Sequence, residues 1–323
     1  MDGGRSPRVG RARRQAGGRE RGLARSLATG PARRRPRRAR SHLRLARRPH
    51  DPRVTARFTV DDLARPLALD RGARRIVSLA PACTECLIAL GALDRLVGVE
   101  EHSDLPELGQ VPRVGGFKHV DLDAVVALAP DLVVAASLHA LTSAPALASR
   151  GVPVFVMRPH TLNDLVHGMA RLAAIIGSAA ANADYLTRCR ARIAAVVERT
   201  LRRRVRPLVY LELSPDGYTG GPQSFVDDLI TKAGGVNLGG HARVEWPRLD
   251  FATVLRFDPD VIVIAAWPGS ATPADLGTRE GWDRLTAVKS GRVWAIPAGQ
   301  VKRPGPGLID GLEQVEALLT AFE

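Results

Sequence analysis

The sequence predicts an α/β protein with two Rossmann-like lobes, each built on a parallel sheet, joined by a long rigid backbone helix. Three observations lead to this prediction: two distant stretches share one pattern, strand and helix signals alternate around each of them, and a stretch without strand signals lies between them. Alternation of strands and helices is typical of parallel sheets with right-handed crossovers. Two lobes also create a cleft, which is where ligands usually bind.

The shared pattern starts at Leu122 and again at Leu249. Each copy has a short amphipathic helix, then Pro-Asp, then a continuous apolar run. Because proline cannot continue a helix, it marks the end of each helix. The apolar runs, Leu132–Ala136 and Val261–Ala265, are typical of strands that are buried on both faces of a parallel sheet.

The remaining elements of the first lobe follow in order along the chain. A lead-in hairpin is predicted over Phe58–Leu69. Short apolar runs bounded by turn residues predict the other strands, which are Arg75–Leu79, Leu96–Val99 and Val152–Met157. Helical patterns follow these strands, including ACTECLIALGAL after Pro81 and Ala144–Arg150.

No strand signal occurs between Thr161 and Arg203, where apolar residues recur at helical spacing. This pattern predicts one long helix, or two placed end to end, of roughly 40 residues and about 60 Å if straight. Strand signals resume at Pro207–Leu213 and continue at Val293–Ile296, with a final helix over Leu308–Phe322. We therefore expect four segments: an extension over 1–54, an N-terminal lobe over 55–160, the connecting helix over 161–204, and a C-terminal lobe over 205–323.

The formal net charge of +14 belongs to one end of the chain. Residues 1–53 contain 18 arginines and three acidic residues, whereas the rest of the chain is nearly neutral. Such a segment binds nucleic acid or anionic lipid in some proteins. It has almost no aromatic or β-branched residues, which favours a disordered extension instead, so we expect no nucleic-acid partner.

Composition also limits the class of protein. No apolar run reaches the ~18 residues that span a membrane, and the Arg-rich start lacks the apolar segment of a secretory signal as written. Three cysteines exclude a disulfide scaffold. Two of them form the CxxC of Cys83 and Cys86 at a predicted helix start, where a redox dithiol or two small buried residues are the alternatives.

Several segments together resemble one known family. They are RRIVSLAPACTECLIALGALDRLVGVEEHSDLP (74–106), FVDDLITKAGGVNL (225–238), WDRLTAVKSGRVWAIP (282–297), RPGPGLIDGLEQVEALL (303–319) and the two Pro-Asp units. In collinear order over about residues 56–320, they resemble the corrinoid (vitamin B12) and related metal-chelate binding proteins of ABC importers. The resemblance implies the class III, helical-backbone fold of periplasmic binding proteins, which agrees with the pattern of elements.

Candidate ligand residues lie where the predicted strands end, because ligands meet the carboxyl ends of parallel strands. By resemblance, Phe117, Trp246 and Arg303 fall at corrinoid-contacting positions, and His102 falls where the family often has an aromatic residue. Aromatic rings suit a flat macrocycle. The alternative is that Phe117 and Trp246 merely fill the edges of the lobes. The complete set of predicted ligand residues is Pro81, His102, Phe117, His119, Tyr218, Trp246 and Arg303.

Four of the eight histidines, at positions 102, 119, 139 and 160, follow predicted strands of the first lobe. They are either solvated loop residues or include an axial ligand to a chelated metal. The histidines do not show the HxxxH or HExxH spacing of a metalloprotease site. The sequence Gly220-Gly221-Pro222 is not a phosphate-binding loop, because it lacks the Lys-Ser/Thr that follows the glycines of such a loop. We therefore predict no intrinsic metal, no intrinsic cofactor and no catalytic residues.

The predicted function is the binding of cobalamin or a related corrinoid as transported ligand, for delivery to an ABC permease and ATPase complex. The alternatives are a binding protein for haem, an iron-siderophore or a metal ion, and a two-lobed chelatase-like enzyme. The resemblance also implies permease docking through Asp123, whereas the matching place in the second lobe is Ala252, with Asp250 nearby. We expect a monomer that is periplasmic by resemblance, although the absence of a signal in the sequence as given leaves a cytoplasmic protein open.

Overall fold

The computed structural model of this chain describes residues 57–322. The expectation of a disordered Arg-rich extension over 1–54 lies outside the described residues. Within them, the chain folds into two α/β lobes. None of the helices described here is long and apolar enough to cross a bilayer.

The N-terminal lobe contains a hairpin and a four-stranded parallel sheet. The antiparallel hairpin is formed by β1 (Arg57–Val60) and β2 (Pro66–Leu69), at the place predicted for it. The sheet has the order β4-β3-β5-β6, and its strands are β3 (Ile76–Ser78), β4 (Leu96–Val99), β5 (Leu132–Ala136) and β6 (Val154–Met157). The helices of this lobe are α1 (Pro81–Ala89), α2 (Leu122–Ala127) and α3 (Ser143–Ser149).

Two helices follow, so of the two predicted alternatives the single 40-residue helix is wrong. Helix α4 (Leu162–Ile176) begins after Thr161, whose side chain accepts a hydrogen bond from the Asp164 backbone. It ends at Gly177, which has a φ of 81°. A left-handed glycine is a common end of a helix because it has no Cβ to clash. Helix α5 (Ala179–Thr200) has 22 residues, about 33 Å at the usual rise.

Helix α5 contacts both lobes. Near its start, the Asn182 amide donates a hydrogen bond to the carbonyl of Leu90 in the N-terminal lobe, at 3.1 Å. Further along, Arg192 donates to Asp310 at 2.6 Å and to Glu313 at 2.8 Å. These two carboxylates belong to the last helix of the C-terminal lobe. Helix α5 is therefore the element that connects the lobes.

The C-terminal lobe repeats the sheet of the first. Its strands are β7 (Leu208–Glu212), β8 (Val236–Asn237), β9 (Val261–Ala266) and β10 (Val293–Pro297), all parallel. Its helices are α6 (Phe225–Lys232), α7 (Phe251–Phe257), α8 (Pro273–Thr278), α9 (Thr286–Lys289), α10 (Ala298–Val301) and α11 (Gly307–Leu319). The order β10-β9-β7-β8 is the first sheet's order read from the other side.

The repeated Pro-Asp units have the same structural role in both lobes. The carboxylate of Asp131 accepts hydrogen bonds from the backbone N–H groups of Arg74 and Arg75, just before β3, at 3.0–3.1 Å. The carboxylate of Asp260 accepts from the N–H of Leu208, the first residue of β7, at 2.8 Å. Each aspartate thus fixes the start of the neighbouring central strand, which explains why the sequence repeats it.

Candidate functional site

The strand order predicts where a candidate site lies in each lobe. In each sheet the first strand in sequence lies between the second and the third, so the connections leave in opposite directions beside it. Ligands of open parallel sheets bind at the carboxyl ends of the strands at such a switch point. Here these ends lead into Pro81 and Ser137 in the N-terminal lobe, and into Leu213 and Trp267 in the C-terminal lobe.

A chain of buried hydroxyl groups lies below the start of α1. Pro81 is the first residue of that helix, where its missing N–H group costs nothing. The Thr84 hydroxyl is hydrogen-bonded to Ser78 at 2.8 Å and to Ser103 at 2.9 Å. Ser103 donates in turn to the carboxylate of Glu100 at 2.6 Å. This chain fixes the loop after β4 against the loop after β3.

Glu100 lies beneath the predicted ligand residue His102. Its side chain is completely buried, whereas the His102 side chain is 68% exposed. The carboxylate accepts from the His102 backbone N–H at 2.6 Å, and the imidazole Nδ1 lies 3.2 Å from the same oxygen. Burial of an ionisable group is costly unless it is hydrogen-bonded, so the loop folds tightly around this carboxylate.

Phe117 is held at the same rim by a second histidine. The ring of His139 meets the Phe117 ring edge-on, with centroids 5.3 Å apart, and its Nε2 donates to the Phe117 carbonyl at 2.9 Å. The Nδ1 of His139 accepts from the Ala136 backbone at 3.2 Å. Burial lowers the pKa of His139, so it is a neutral structural residue. His139 is therefore neither a solvated loop residue nor, with both ring nitrogens engaged, a ligand, so both predicted alternatives are wrong for this position.

His119 is exposed on the turn that follows Phe117. Its backbone N–H donates to the Gly116 carbonyl at 3.1 Å. Among the described residues, no group lies within hydrogen-bonding distance of its imidazole. The imidazole of His119 can therefore reach a ligand beside Phe117, but no contact within the described protein orients it.

In the C-terminal lobe, a glycine-rich turn holds the segment that carries Trp246. The N–H groups of Thr219 and Gly221 donate to the carbonyls of Pro247 and Glu245, at 3.1 and 2.8 Å. A Cβ on Gly221 would lie 2.1 Å from the Val244 carbonyl oxygen, which explains why glycine is required there. The predicted ligand residue Tyr218 lies on the same turn and is 44% exposed.

Two tryptophans of this lobe, Trp246 and Trp267, are exposed. Trp246 packs on Phe225, with ring centroids 5.2 Å apart, and remains 38% exposed. Trp267 follows β9 and is 37% exposed, with the Lys302 ammonium 4.3 Å from its ring centroid. Each ring therefore has one face supported by the protein and enough free surface to contact a ligand.

Arg303 already has a partner in the opposite lobe. Its Nη1 donates to Glu85 of α1 at 3.0 Å. Burial raises the pKa of Glu85, and the guanidinium of Arg303 opposes that rise. The sequence predicted that Arg303 binds polar groups of a ligand, but gave no indication of this cross-lobe pair. Arg303 can donate its remaining N–H groups to a ligand. If the pair with Glu85 opens, it can also donate the N–H group that now binds Glu85.

A second cross-lobe contact involves His160. Its Nδ1 lies 2.8 Å from the Gln223 carbonyl oxygen and 3.4 Å from Glu245. The N–H of Leu162, at the start of α4, donates to Asp228 at 2.8 Å. A cavity of about 430 Å³ lies beside these contacts, and it includes none of the predicted ligand residues. His160 is therefore a lobe contact rather than a loop histidine free in solvent.

The CxxC pair is structural in this fold. Cys83 and Cys86 are both buried and reduced. Burial raises the pKa of both thiols, which is the opposite of what a reactive thiolate needs. The interpretation as small core residues therefore holds. In the described part of the chain, no three His, Cys, Asp or Glu side chains are grouped so as to hold a metal ion.

The predicted docking residue Asp123 lies in the first turn of α2. Its side chain is 90% exposed and pairs with Arg150 at 2.6 Å. Asp121, not Asp123, caps the helix by accepting from two backbone N–H groups. In the second lobe, Asp250 has that capping role for α7, so Asp250 is the counterpart of Asp121.

Comparison with known proteins identifies the family. The model of the periplasmic binding protein family matches residues 76–299. A cobalamin-binding protein of Halobacterium salinarum is 31% identical over 259 residues, covering 77% of this chain and 70% of the relative. An uncharacterized ABC transporter substrate-binding lipoprotein of Bacillus subtilis, YvrC, is 29% identical, covering 80% of this chain and 83% of its own.

Among solved structures, the periplasmic vitamin B12 binding protein BtuF of Vibrio cholerae is similar, with a TM-score of 0.68 and 25% identity. The match covers 77% of this chain and 98% of that protein. The predicted class III fold is thereby confirmed, as is the prediction of a binding protein rather than an enzyme. The chain belongs to the periplasmic binding protein family, whose members are non-enzymatic components of transport systems.

Proposed function

We propose that this protein is the substrate-binding component of an ABC importer and that it binds cobalamin or a related corrinoid between its lobes. The observation that carries the proposal is the similarity, over most of the chain, to relatives named for cobalamin or vitamin B12 binding. The site supports it, because partly exposed aromatic rings lie at the strand ends of both lobes. Such rings suit the apolar faces of a large macrocycle.

Each predicted ligand residue has a role in this proposal. Phe117 and Trp246 contact the macrocycle from the two lobes, and Arg303 binds amide oxygens at its rim. His102, His119, Tyr218 and the turn at Pro81 complete the contact surface. Binding is stoichiometric and leaves the ligand chemically unchanged, as transport requires.

The competing ligands are haem and ferric siderophores, which are also large metal chelates. The purified protein is mixed separately with cyanocobalamin, hemin and a ferric hydroxamate, and each mixture is passed over a gel-filtration column. We expect cyanocobalamin absorbance to co-elute with the protein at a one-to-one ratio. Co-elution of only hemin or only the hydroxamate would replace the corrinoid as the ligand. Conversion of a free tetrapyrrole plus metal to a chelate would instead favour the chelatase.

The partner of this proposal is a membrane permease with its ATPase. The exposed carboxylate of Asp123 is suited to an arginine of such a permease. Since the family is extracytoplasmic, we propose that the protein acts outside the inner membrane, as a monomer and without a nucleic-acid partner. Light scattering on the purified protein tests the monomer, and fractionation of producing cells tests the location.

A further inference from the structure

His102 differs from the other described histidines of the N-terminal lobe in how its ring is held. The Nδ1 faces the buried Glu100 carboxylate at 3.2 Å. No described group lies within hydrogen-bonding distance of its Nε2, and the side chain is mostly exposed. By contrast, both ring nitrogens of His139 are hydrogen-bonded within the protein.

The carboxylate determines which nitrogen of His102 carries the proton. Both side-chain oxygens of Glu100 act as acceptors, one from the His102 backbone N–H and one from Ser103, so Nδ1 donates to Glu100 and Nε2 keeps its lone pair. Glu100 is itself fixed by Ser103 and by the His102 backbone, at 2.6 Å each. A carboxylate behind a histidine, itself hydrogen-bonded, is the arrangement that orients metal-ligating imidazoles and raises their basicity.

The position of the ring connects it to the cleft. A Cβ on Gly116 would lie 3.8 Å from the His102 Cε1, so the imidazole borders the turn that carries Phe117. A flat ligand that contacts Phe117 therefore comes close to the free Nε2. Phe117 supplies apolar contact and His102 supplies a nitrogen donor beside it.

We propose that His102, oriented by Glu100, is an axial ligand to the cobalt of corrinoids whose axial position is occupied by water. This inference rests on the proposed function and adds a specificity to it. The step is a ligand exchange: a cobalt–oxygen bond to water breaks, a bond from cobalt to Nε2 forms, and the water leaves. No electron is transferred and the imidazole keeps its Nδ1 proton.

The preferred ligand is then a corrinoid with an open axial position. Aquocobinamide, which lacks the nucleotide base, offers such a position. Cyanocobalamin has both axial positions filled, so a bond to Nε2 would require its cyanide or its nucleotide base to leave. His102→Gln should weaken aquocobinamide binding by about tenfold or more, at the lower end of the cost of losing a metal-site partner. The same change should weaken cyanocobalamin binding much less, because cyanocobalamin loses only a surface contact with the ring and no bond to cobalt.

The experiment titrates both corrinoids into the wild-type protein, His102→Gln and His167→Gln. His167 is an exposed histidine of α4 and serves as the matched control. Binding is followed by calorimetry and by the visible spectrum, and the bound cobinamide is then reduced to Co(II) for electron paramagnetic resonance. An axial nitrogen splits each high-field cobalt line into a triplet. We expect the triplet in the wild type and the control, and its loss in His102→Gln.

Two results would overturn the inference alone: cobinamide bound by the wild type without nitrogen splitting, or splitting that persists in His102→Gln. Absence of binding of either corrinoid would instead overturn the proposed function, and the inference with it. Because His102 is exposed, its replacement should not disturb folding. Glu100→Gln provides a second variant, in which we expect weaker cobinamide binding with the nitrogen signal retained.

Discussion

The two lobes have the same strand order but offer different chemistry at the ends of their strands. In the N-terminal lobe the rim carries His102 and Phe117 above buried hydroxyls and the Glu100 carboxylate. In the C-terminal lobe it carries the rings of Trp246 and Trp267 on glycine-rich or short loops. The fold thus supplies matching positions, and the loops decide what each position does. Under the proposed function, a ligand between the lobes contacts imidazole and Phe117 on one side and the two indole rings on the other.

We expect the largest effect, a loss of ligand affinity, when the aromatic contact of either lobe is removed. Phe117→Ala and Trp246→Ala should each lower cyanocobalamin affinity by about 10- to 150-fold, because each removes apolar contact worth roughly 1.5–3 kcal/mol. Calorimetric titration of the two variants measures the effect. Phe58→Ala is the control, since Phe58 is an exposed aromatic residue of the β1–β2 hairpin. Wild-type affinity in both cleft variants would contradict binding between the lobes.

The Pro-Asp units allow the same comparison for stability. Asp131 accepts from two backbone N–H groups and Asp260 from one. Because both aspartates are partly exposed, a typical net value of about 1 kcal/mol for each backbone N–H group applies. Asp131→Ala should therefore lower the free energy of unfolding by about 2 kcal/mol and Asp260→Ala by about 1 kcal/mol. Urea denaturation measures both. Equal losses would show that Asp131 and Asp260 contribute the same stability despite their different numbers of hydrogen bonds.

His139 should make the stability depend on pH. Its pKa is lowered in the folded protein by burial, whereas the unfolded chain takes up a proton near pH 6.5. Below that pH the unfolded state binds more protons, so this stability is present above about pH 6.5 and is lost as pH falls, by at most about 1.4 kcal/mol per pH unit.

The check is urea denaturation at pH 7.5 and 5.5. In His139→Gln the difference in unfolding free energy between the two pH values should shrink, whereas His167→Gln should keep the wild-type difference. An unchanged difference in the His139 variant would assign the pH dependence to other groups.

The pair Glu85–Arg303 joins the lobes and should couple them weakly. Arg303 is 37% exposed at its side chain, so solvent screens the pair. A double-mutant cycle with Glu85→Gln and Arg303→Met should give a coupling of about 0.5–1 kcal/mol in urea denaturation. A coupling near zero would mean that this pair does not help to hold the lobes together, which would leave α5, the contacts of His160 and Leu162, and the apolar contacts.

Much of the fold could be predicted because it depends on local patterns. The apolar runs of β5 and β9 begin at the predicted residues, since continuous apolar strands and Pro-Asp ends are visible in the sequence. The sequence left one long helix and two helices open as alternatives, because apolar spacing continues across Gly177 and the left-handed turn there leaves no apolar signal. The short strand β8 and helix α8 were missed because two to six residues give no clear period.

The site was less predictable than the fold. The residues at the strand ends could be named, because the position of a strand end follows from its pattern. Glu85 and Glu100, which hold two of these residues, could not be named. Glu85 acts through a contact with a residue distant in sequence, and the role of Glu100 depends on its burial. Glu85 lies 218 residues from Arg303. A carboxylate directly after β4 was the one available signal for Glu100.

The smallest expected effect on the isolated protein concerns Asp123 and Asp250, which occupy similar helices in the two lobes. Asp123 is exposed and caps nothing, and its pair with Arg150 lies on the surface, where such pairs contribute about 0–1 kcal/mol. Asp123→Ala should therefore leave corrinoid affinity and the free energy of unfolding nearly unchanged. Asp250 accepts from the Thr253 backbone, so Asp250→Ala should destabilise α7 by about 1 kcal/mol, the usual cost of a lost cap. Urea denaturation and calorimetry separate the two residues.

If Asp123 docks a permease, Asp123→Ala alone should lose binding to permease-containing membranes while it keeps its ligand. A loss of stability in Asp123→Ala would instead make Asp123 a structural residue.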